Sequence, residues 1–295
     1  MKTKIIISIL AAAVLSACSS TAGLKCCKPK KDIALQMYSL RDDFRKDYEG
    51  TLKDMGKMGY TAVEIAGFDG NTFKFYGKTP EDFKKDIESL GMKVISSHAR
   101  RPLSQKEIET GDYSESLAWW KKALDAHKRA GCKYVVDPAQ KLNTMQDLKA
   151  YAKYFNEIGK LAKTYGISFG YHNHAHEFNK VGNVVPFDYM IQNTNPEYVF
   201  YQMDVYWVVR GQCSPVEYFV KYPNRFRLLH IKDHKELGHS GMVGFDAIFN
   251  NLPKSVEAIV VEVERYNYAP KVSVQKSFDY LNNSDFVPAS YPKTR

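Results

Sequence analysis

Cysteine is scarce in this chain: five residues in 295, with Cys18, Cys26 and Cys27 near the start and only Cys132 and Cys213 further on. Two scattered thiols, both expected inside helical segments, exclude a disulfide-stapled scaffold. Long apolar runs are also missing. IIISILAAAVL, preceded by Lys2 and Lys4, falls well short of the roughly 20 residues that cross a bilayer, so it reads as the core of a signal peptide over residues 1–17. No basic stripe interleaved with aromatics marks a nucleic-acid partner. The formal charge of +9 draws on Lys2, Lys4, Lys25, Lys28, Lys30 and Lys31, all ahead of the expected domain. Elsewhere lysines alternate with acids, as in EDFKKDIESLGMK, which describes a solvated helix face.

What is present begins with LSAC, whose small residues precede Cys18. The box resembles the lipobox of bacterial lipoproteins. That resemblance implies cleavage before Cys18, lipidation of its thiol, and a membrane-anchored protein of the cell envelope, on the periplasmic side or in the outer membrane. Residues 18–31 are small, polar and basic without periodicity and read as a lipidated flexible tether. Residues 32–295 suit a single domain.

Within that domain one unit recurs: a short β-rich run, a polar turn, an amphipathic helix. The runs are IALQMYS, TAVEIAG, KVISSHA, KYVVDPA, SFGYHNH, VFYQMD, FRLLHIKD and AIVVEVE. Several intervening helices end at glycine (Gly59, Gly91, Gly131, Gly166), as a helix C-terminus favours. Eight alternating βα units predict an α/β fold of the (β/α)8 TIM-barrel type. A doubly wound open sheet is disfavoured because SLRDDF, not a Gly-rich phosphate turn, follows the first strand.

A barrel carries its active site where strands end and βα loops begin. Here those ends hold Gln36 and Tyr38, Glu64, His98, Asp137, the FGYHNHAHEF stretch with His172, His174 and Glu177, Gln202 and Asp204, His230 and Lys232, and Glu262 and Glu264. Ionisable groups in β-runs are expensive to bury unpaired, and alternation puts Gln202 with Asp204, His230 with Lys232, and Glu262 with Glu264 on shared faces. Convergence on one polar site explains them together.

The order and spacing of LQMYSLRDDF, GYTAVEI, GYHNHAHEF, MDVYWV, LLHIKD and VVEVE resemble the xylose isomerase-like TIM barrels, in the broad sugar phosphate isomerase/epimerase group. The resemblance implies one divalent metal (Mn, Mg, Co or Zn) held by Glu177, Asp204, His230 and Glu262, with a nitrogen of His172 or His174 from the same segment as the alternative to Glu177. A mostly oxygen donor set suits those ions. It also implies a carbohydrate substrate deprotonated next to a carbonyl, with the enediolate stabilised by the metal. Proton transfer falls first to Glu177 and Glu262, then to His98, His172 and Lys232. Tyr38, Glu64, His174, Trp207 and Glu264 are the expected substrate contacts. A keto-sugar or 3-keto-glycoside lyase, hydratase or epimerase is favoured. An aldose–ketose isomerase and a non-catalytic sugar-binding lipoprotein are the alternatives. Endonuclease IV shares the barrel but needs histidines where this chain has Trp207 and VVDPA.

Overall fold

The structure, a computed structural model, describes residues 30–292. The expected signal peptide, Cys18 and the tether up to residue 29 lie outside the described residues. Lys31 is already tied to the domain, donating to the carbonyls of Leu281 and Ser284.

Among the described residues ten strands form: β1 (Ala34–Gln36), β2 (Ala62–Ile65), β3 (Phe68–Asp69), β4 (Lys74–Phe75), β5 (Lys93–His98), β6 (Tyr134–Asp137), β7 (Ser168–His172), β8 (Val199–Asp204), β9 (Phe226–Lys232) and β10 (Ala258–Glu262). Eight close into a parallel barrel in the order β1-β10-β9-β8-β7-β6-β5-β2. This is the (β/α)8 barrel predicted above, and all eight barrel strands fall on the eight runs named there. The small antiparallel β3–β4 hairpin, an insertion after β2, was not expected.

Strand alternation divides the side chains cleanly. Leu35, Val63, Val135, Phe169, Tyr171, Tyr201, Leu229 and Val261 face outward into the main core with the helices. The other phase fills the lumen in layers. Its lower layer is apolar: Ala34, Ala62 and Val260 form one cluster, and Tyr134, Val136, Phe200 and Leu228 another. Two residues further along the same strands come Gln36, Glu64, Gln202, His230 and Glu262, all buried. Gly170 of β7 belongs to the lower layer, where a Cβ would sit 2.6 Å from the Phe200 ring; the glycine in FGYH makes room for that ring. Register then pairs His172 with Gln202, Asp204 with His230, and Glu262 with Lys232.

The helices follow their predicted ends. Gly59, Gly91, Gly131 and Gly166 all adopt the left-handed conformation that stops a helix. Cys132 and Cys213 differ from expectation: each lies just past a helix end, not inside it. The glycine-terminated turn releases the chain earlier than apolar periodicity shows. Trp120 is fully buried against Phe169. No helix among the described residues is long and apolar enough to cross a membrane.

Candidate active site

Two knots of charge occupy the polar layer. The first centres on Glu64, fully buried at the end of β2. Its Oε1 accepts from Gln36 Nε2 at 2.7 Å and lies 2.6 Å from His230 Nε2 and 3.0 Å from His98 Nε2; its Oε2 accepts from Gln202 Nε2 at 2.7 Å. Burial pushes this carboxyl up, but His98 and His230 outweigh it and hold Glu64 well below the usual carboxylate range. Glu64 sits beneath the cavity wall and does not line the cavity.

The second knot links β9 and β10. Lys232 donates to Glu262 at 3.1 Å and to Glu264 at 2.6 Å, and its ammonium lies 4.9 Å above the Trp207 ring. Burial disfavours the lysine's charge, yet Glu262, Asp204 and Glu264 raise its pKa overall. His230 Nδ1 lies 3.3 Å from Glu262. Burial would lower His230, but Glu64 and Glu262 together lift it to about 10. Asp204, at the end of β8, is pushed up to about 7 by burial against the pull of Lys232 and His230. Its Oδ1 accepts from the Trp207 amide at 3.0 Å, while its Oδ2 is buried with no hydrogen-bond partner.

Asp204, His230 and Glu262 each offer a donor atom within 4.8 Å of the others. An orphaned buried carboxylate oxygen is costly; beside an imidazole and a second carboxylate it describes a fit for a divalent cation. His172 Nε2, 3.9 Å from Asp204 Oδ2, faces the same spot. A second cluster of equal compactness, His98, His172 and His230, is filled differently. There His98 Nε2 and His172 Nδ1 meet Gln202 Oε1 at 3.0 and 3.2 Å, and His98 and His230 meet Glu64. Those nitrogens point at acceptors already present.

Above these groups opens a cavity of about 310 Å³ lined by Tyr38, His98, His172, His174, Glu262 and Glu264, with Ala66, Pro138 and Ala139 as its apolar wall. Tyr38 stands half exposed at the mouth, its ring 4.5 Å beneath the Arg41 guanidinium; Arg41 in turn donates to Tyr266 at 2.9 Å and to the Glu264 carbonyl at 3.3 Å. Burial lowers His174 to about 4 and His172 well below its ordinary value, so both rings are neutral near pH 7. His174 packs 5.5 Å from Trp207, and both His174 Nδ1 and Trp207 Nε1 are buried without partners. Unpaired polar atoms beside a cavity are what a polyhydroxylated ligand would satisfy.

The structure thus gathers His98, His172, Lys232, Glu262, Asp204 and His230 with Tyr38, His174, Trp207 and Glu264. Glu177 stands apart. Its Oε1 accepts from the Tyr171 hydroxyl at 2.6 Å and its Oε2 from the His174 amide at 2.9 Å. Tyr171 is on the outward phase of β7 and packs on Phe155, so the Glu177 carboxylate is held on the helical side, outside both donor clusters. Two partners without an assigned role in the sequence reading also matter. Gln202 bridges Glu64 to two histidines, and Asn173 brackets the Asp204 backbone, accepting its N–H at 3.1 Å. Gln202 was visible as the residue two before Asp204 on the same strand face; Asn173 carried no signal beyond its place between His172 and His174.

Residues 52–284 match the family described as xylose isomerase-like TIM barrel. A sugar phosphate isomerase/epimerase of known structure from Parabacteroides distasonis is 32% identical; the match covers 90% of this chain and 100% of that one, with a TM-score of 0.82. Among curated relatives are inosose dehydratases of Clostridium tetani (31% identical over 93 residues) and Geobacillus kaustophilus (21% over 211 residues). Those matches take in 32% and 66% of this chain and only 30% and 64% of the relatives' lengths. The Escherichia coli 3-keto-D-glucoside 4-epimerase shares the fold, with 19% identity, 86% of this chain, 100% of that one and a TM-score of 0.66.

Proposed function

This chain belongs to the xylose isomerase-like TIM barrel family, and from that premise we propose that it transforms a keto-sugar or 3-keto-glycoside by removing a proton beside the carbonyl, as a lyase, hydratase or epimerase. The observation that carries the reading is the unpartnered Asp204 Oδ2 beside His230 and Glu262, under a cavity lined in part by the neutral rings of His172 and His174. The relatives' names support it: an inosose and a 3-keto-glucoside are both ketones flanked by hydroxyl-bearing carbons.

Asp204, His230 and Glu262, with His172 Nε2 facing them, would hold the divalent cation. When bound there it would supply Lewis-acid polarisation of a substrate oxygen. The protein's own groups do the rest. His98, anchored through Nε2, has Nδ1 left to accept a proton from carbon and return it. Lys232, kept charged by its carboxylates, offsets negative charge developing on oxygen. The unpaired Trp207 Nε1–H and His174 Nδ1 would hold hydroxyls, and Tyr38 would cover the exposed sugar face. In elimination the departing C–O bond takes the electron pair released at carbon, and the leaving oxygen collects a proton. In epimerisation a second group, for which Glu262 of the same cavity wall is the candidate, would deliver a proton to the opposite face.

Incubation with a 3-keto-glucoside and with simple ketoses in deuterated water tests this. Deuterium should enter, or hydrogen leave, the carbon next to the carbonyl. Aglycone release identifies elimination, and inversion without release identifies epimerisation. Binding with neither exchange nor product would instead make the protein a sugar-binding module. We also place the activity in the cell envelope, on the strength of LSAC after a short apolar run. Cys18→Ser should abolish fatty-acid labelling and membrane fractionation; a variant that still fractionates with membranes rules out that anchor.

A further inference from the structure

We propose that Glu64 and Gln202 are positioning residues that commit one ring N–H each of His172, His230 and His98, so that each turns its other nitrogen to the working side of the site. This rests on the reading of Asp204, His230 and Glu262 as a cation site.

The logic runs through groups whose hydrogen-bonding capacity is fixed. An ionised carboxylate can only accept, so the groups that meet Glu64 must donate, among them Gln202 through Nε2 at 2.7 Å and His230 through Nε2 at 2.6 Å. That orients the Gln202 amide, since its NH2 end faces Glu64 and its Oε1 faces the histidines. Oε1 in turn can only accept, and it lies 3.2 Å from His172 Nδ1 and 3.0 Å from His98 Nε2. His172 is therefore the Nδ1–H tautomer, and its lone pair is on Nε2, the atom facing Asp204 Oδ2. His230 keeps its committed hydrogen on Nε2, leaving Nδ1, the atom beside Glu262, as the exchangeable nitrogen. His98 keeps Nδ1 as its only proton-accepting nitrogen. Gln36 Nε2 donates to Glu64 from the other side at 2.7 Å and holds the carboxylate in place.

A buried acceptor that orients a ligating histidine through its distal N–H commonly changes metal affinity 10–100-fold when removed. Here a single carboxylate reaches three rings, two directly along with Gln202 and one through Gln202. Glu64→Gln is nearly isosteric but presents an NH2 group, so Gln202 must turn its own amide over and offer a donor where His172 and His98 now find an acceptor. His172, whose Nδ1 meets only Gln202, would then switch tautomer and carry hydrogen on Nε2 toward Asp204, while His98 Nε2 keeps the oxygen of residue 64 as its acceptor.

The experiment reads nitrogen-15 histidine spectra of metal-free protein, together with cobalt(II) affinity from competition with a chelator, for wild type, Glu64→Gln and Gln202→Leu. The expected result is Nδ1–H at His172 in the wild type, Nε2–H in Glu64→Gln, and cobalt binding weaker by roughly 10–100-fold in both variants. Nε2–H at His172 in the wild type overturns the proposal, as does unchanged cobalt affinity in folded variants. If a variant fails to fold, the wild-type tautomer decides alone. If the wild type binds no cobalt, the cation reading fails while the tautomer measurement still judges the Glu64–Gln202 arrangement.

Discussion

Glu177 and Glu262 are both buried carboxylates at the mouth of one barrel, and they do opposite things. Glu262 ends β10 on the lumen phase, two residues beyond Val260 of the apolar layer. The strand delivers it into the cavity wall, where Lys232 and His230 pull its pKa well below the ordinary range against the effect of burial. Glu177 sits five residues past the end of β7, in a single 3-10 turn. There a nearby hydroxyl and an amide N–H take its two oxygens, and burial raises its pKa in spite of them and of His176. A strand end gives a side chain one direction. A loop lets the nearest donors choose.

Exchanging each for glutamine should pull the two apart. Glu262→Gln removes the charge that Lys232 and His230 share, so turnover should fall by roughly 100-fold or more, with divalent-metal content falling as well. Glu177→Gln should keep its metal, because its carboxylate touches neither donor cluster. What it loses is the charge and one of its two acceptor oxygens, so thermal unfolding should occur a few degrees earlier, about 2–4 °C for each 1 kcal/mol. Metal analysis and a thermal melt on both variants decide the matter. Metal loss in Glu177→Gln with retention in Glu262→Gln would reverse the comparison.

The same contrast explains what could be read in advance. The barrel was legible because eight β-rich runs alternate with helical ones, and period two put Gln202 with Asp204, His230 with Lys232, and Glu262 with Glu264 on shared faces. The FGYHNHAHEF stretch was harder. His172 is the last residue of β7 and keeps the strand's phase, whereas Glu177 is placed by the Tyr171 hydroxyl, a partner of the opposite phase that no periodicity reveals. Glu64 shows a further limit. Its lumen position was predictable, but its role as a hub beneath the wall depends on four donors from four other strands, whose convergence only closure of the barrel creates.

A histidine away from the cavity sharpens the comparison from the stability side. His127, on the Ser114–Arg129 helix, is fully buried and packed between Phe68 and Phe75. Its Nδ1 lies 2.6 Å from the Ala123 carbonyl and so must donate; its Nε2 therefore accepts, from Ser97 Oγ at 3.0 Å. Both nitrogens are satisfied by the neutral ring, unlike His230, which two carboxylates keep charged. Burial accordingly lowers His127 to about 4 from 6.5, with the Ala123 bond opposing only in part. The unfolded chain takes up this proton below about pH 6.5, while the folded protein resists until about pH 4. Stability owed to the neutral ring is therefore complete above pH 6.5 and drains away as pH falls toward 4, by about 3 kcal/mol in all. Urea unfolding of wild type and His127→Leu at pH 7 and pH 4.5 measures the difference. The variant should start from a different stability but lose less on acidification, and a wild-type loss no steeper than the variant's would mean that His127 is charged inside the fold.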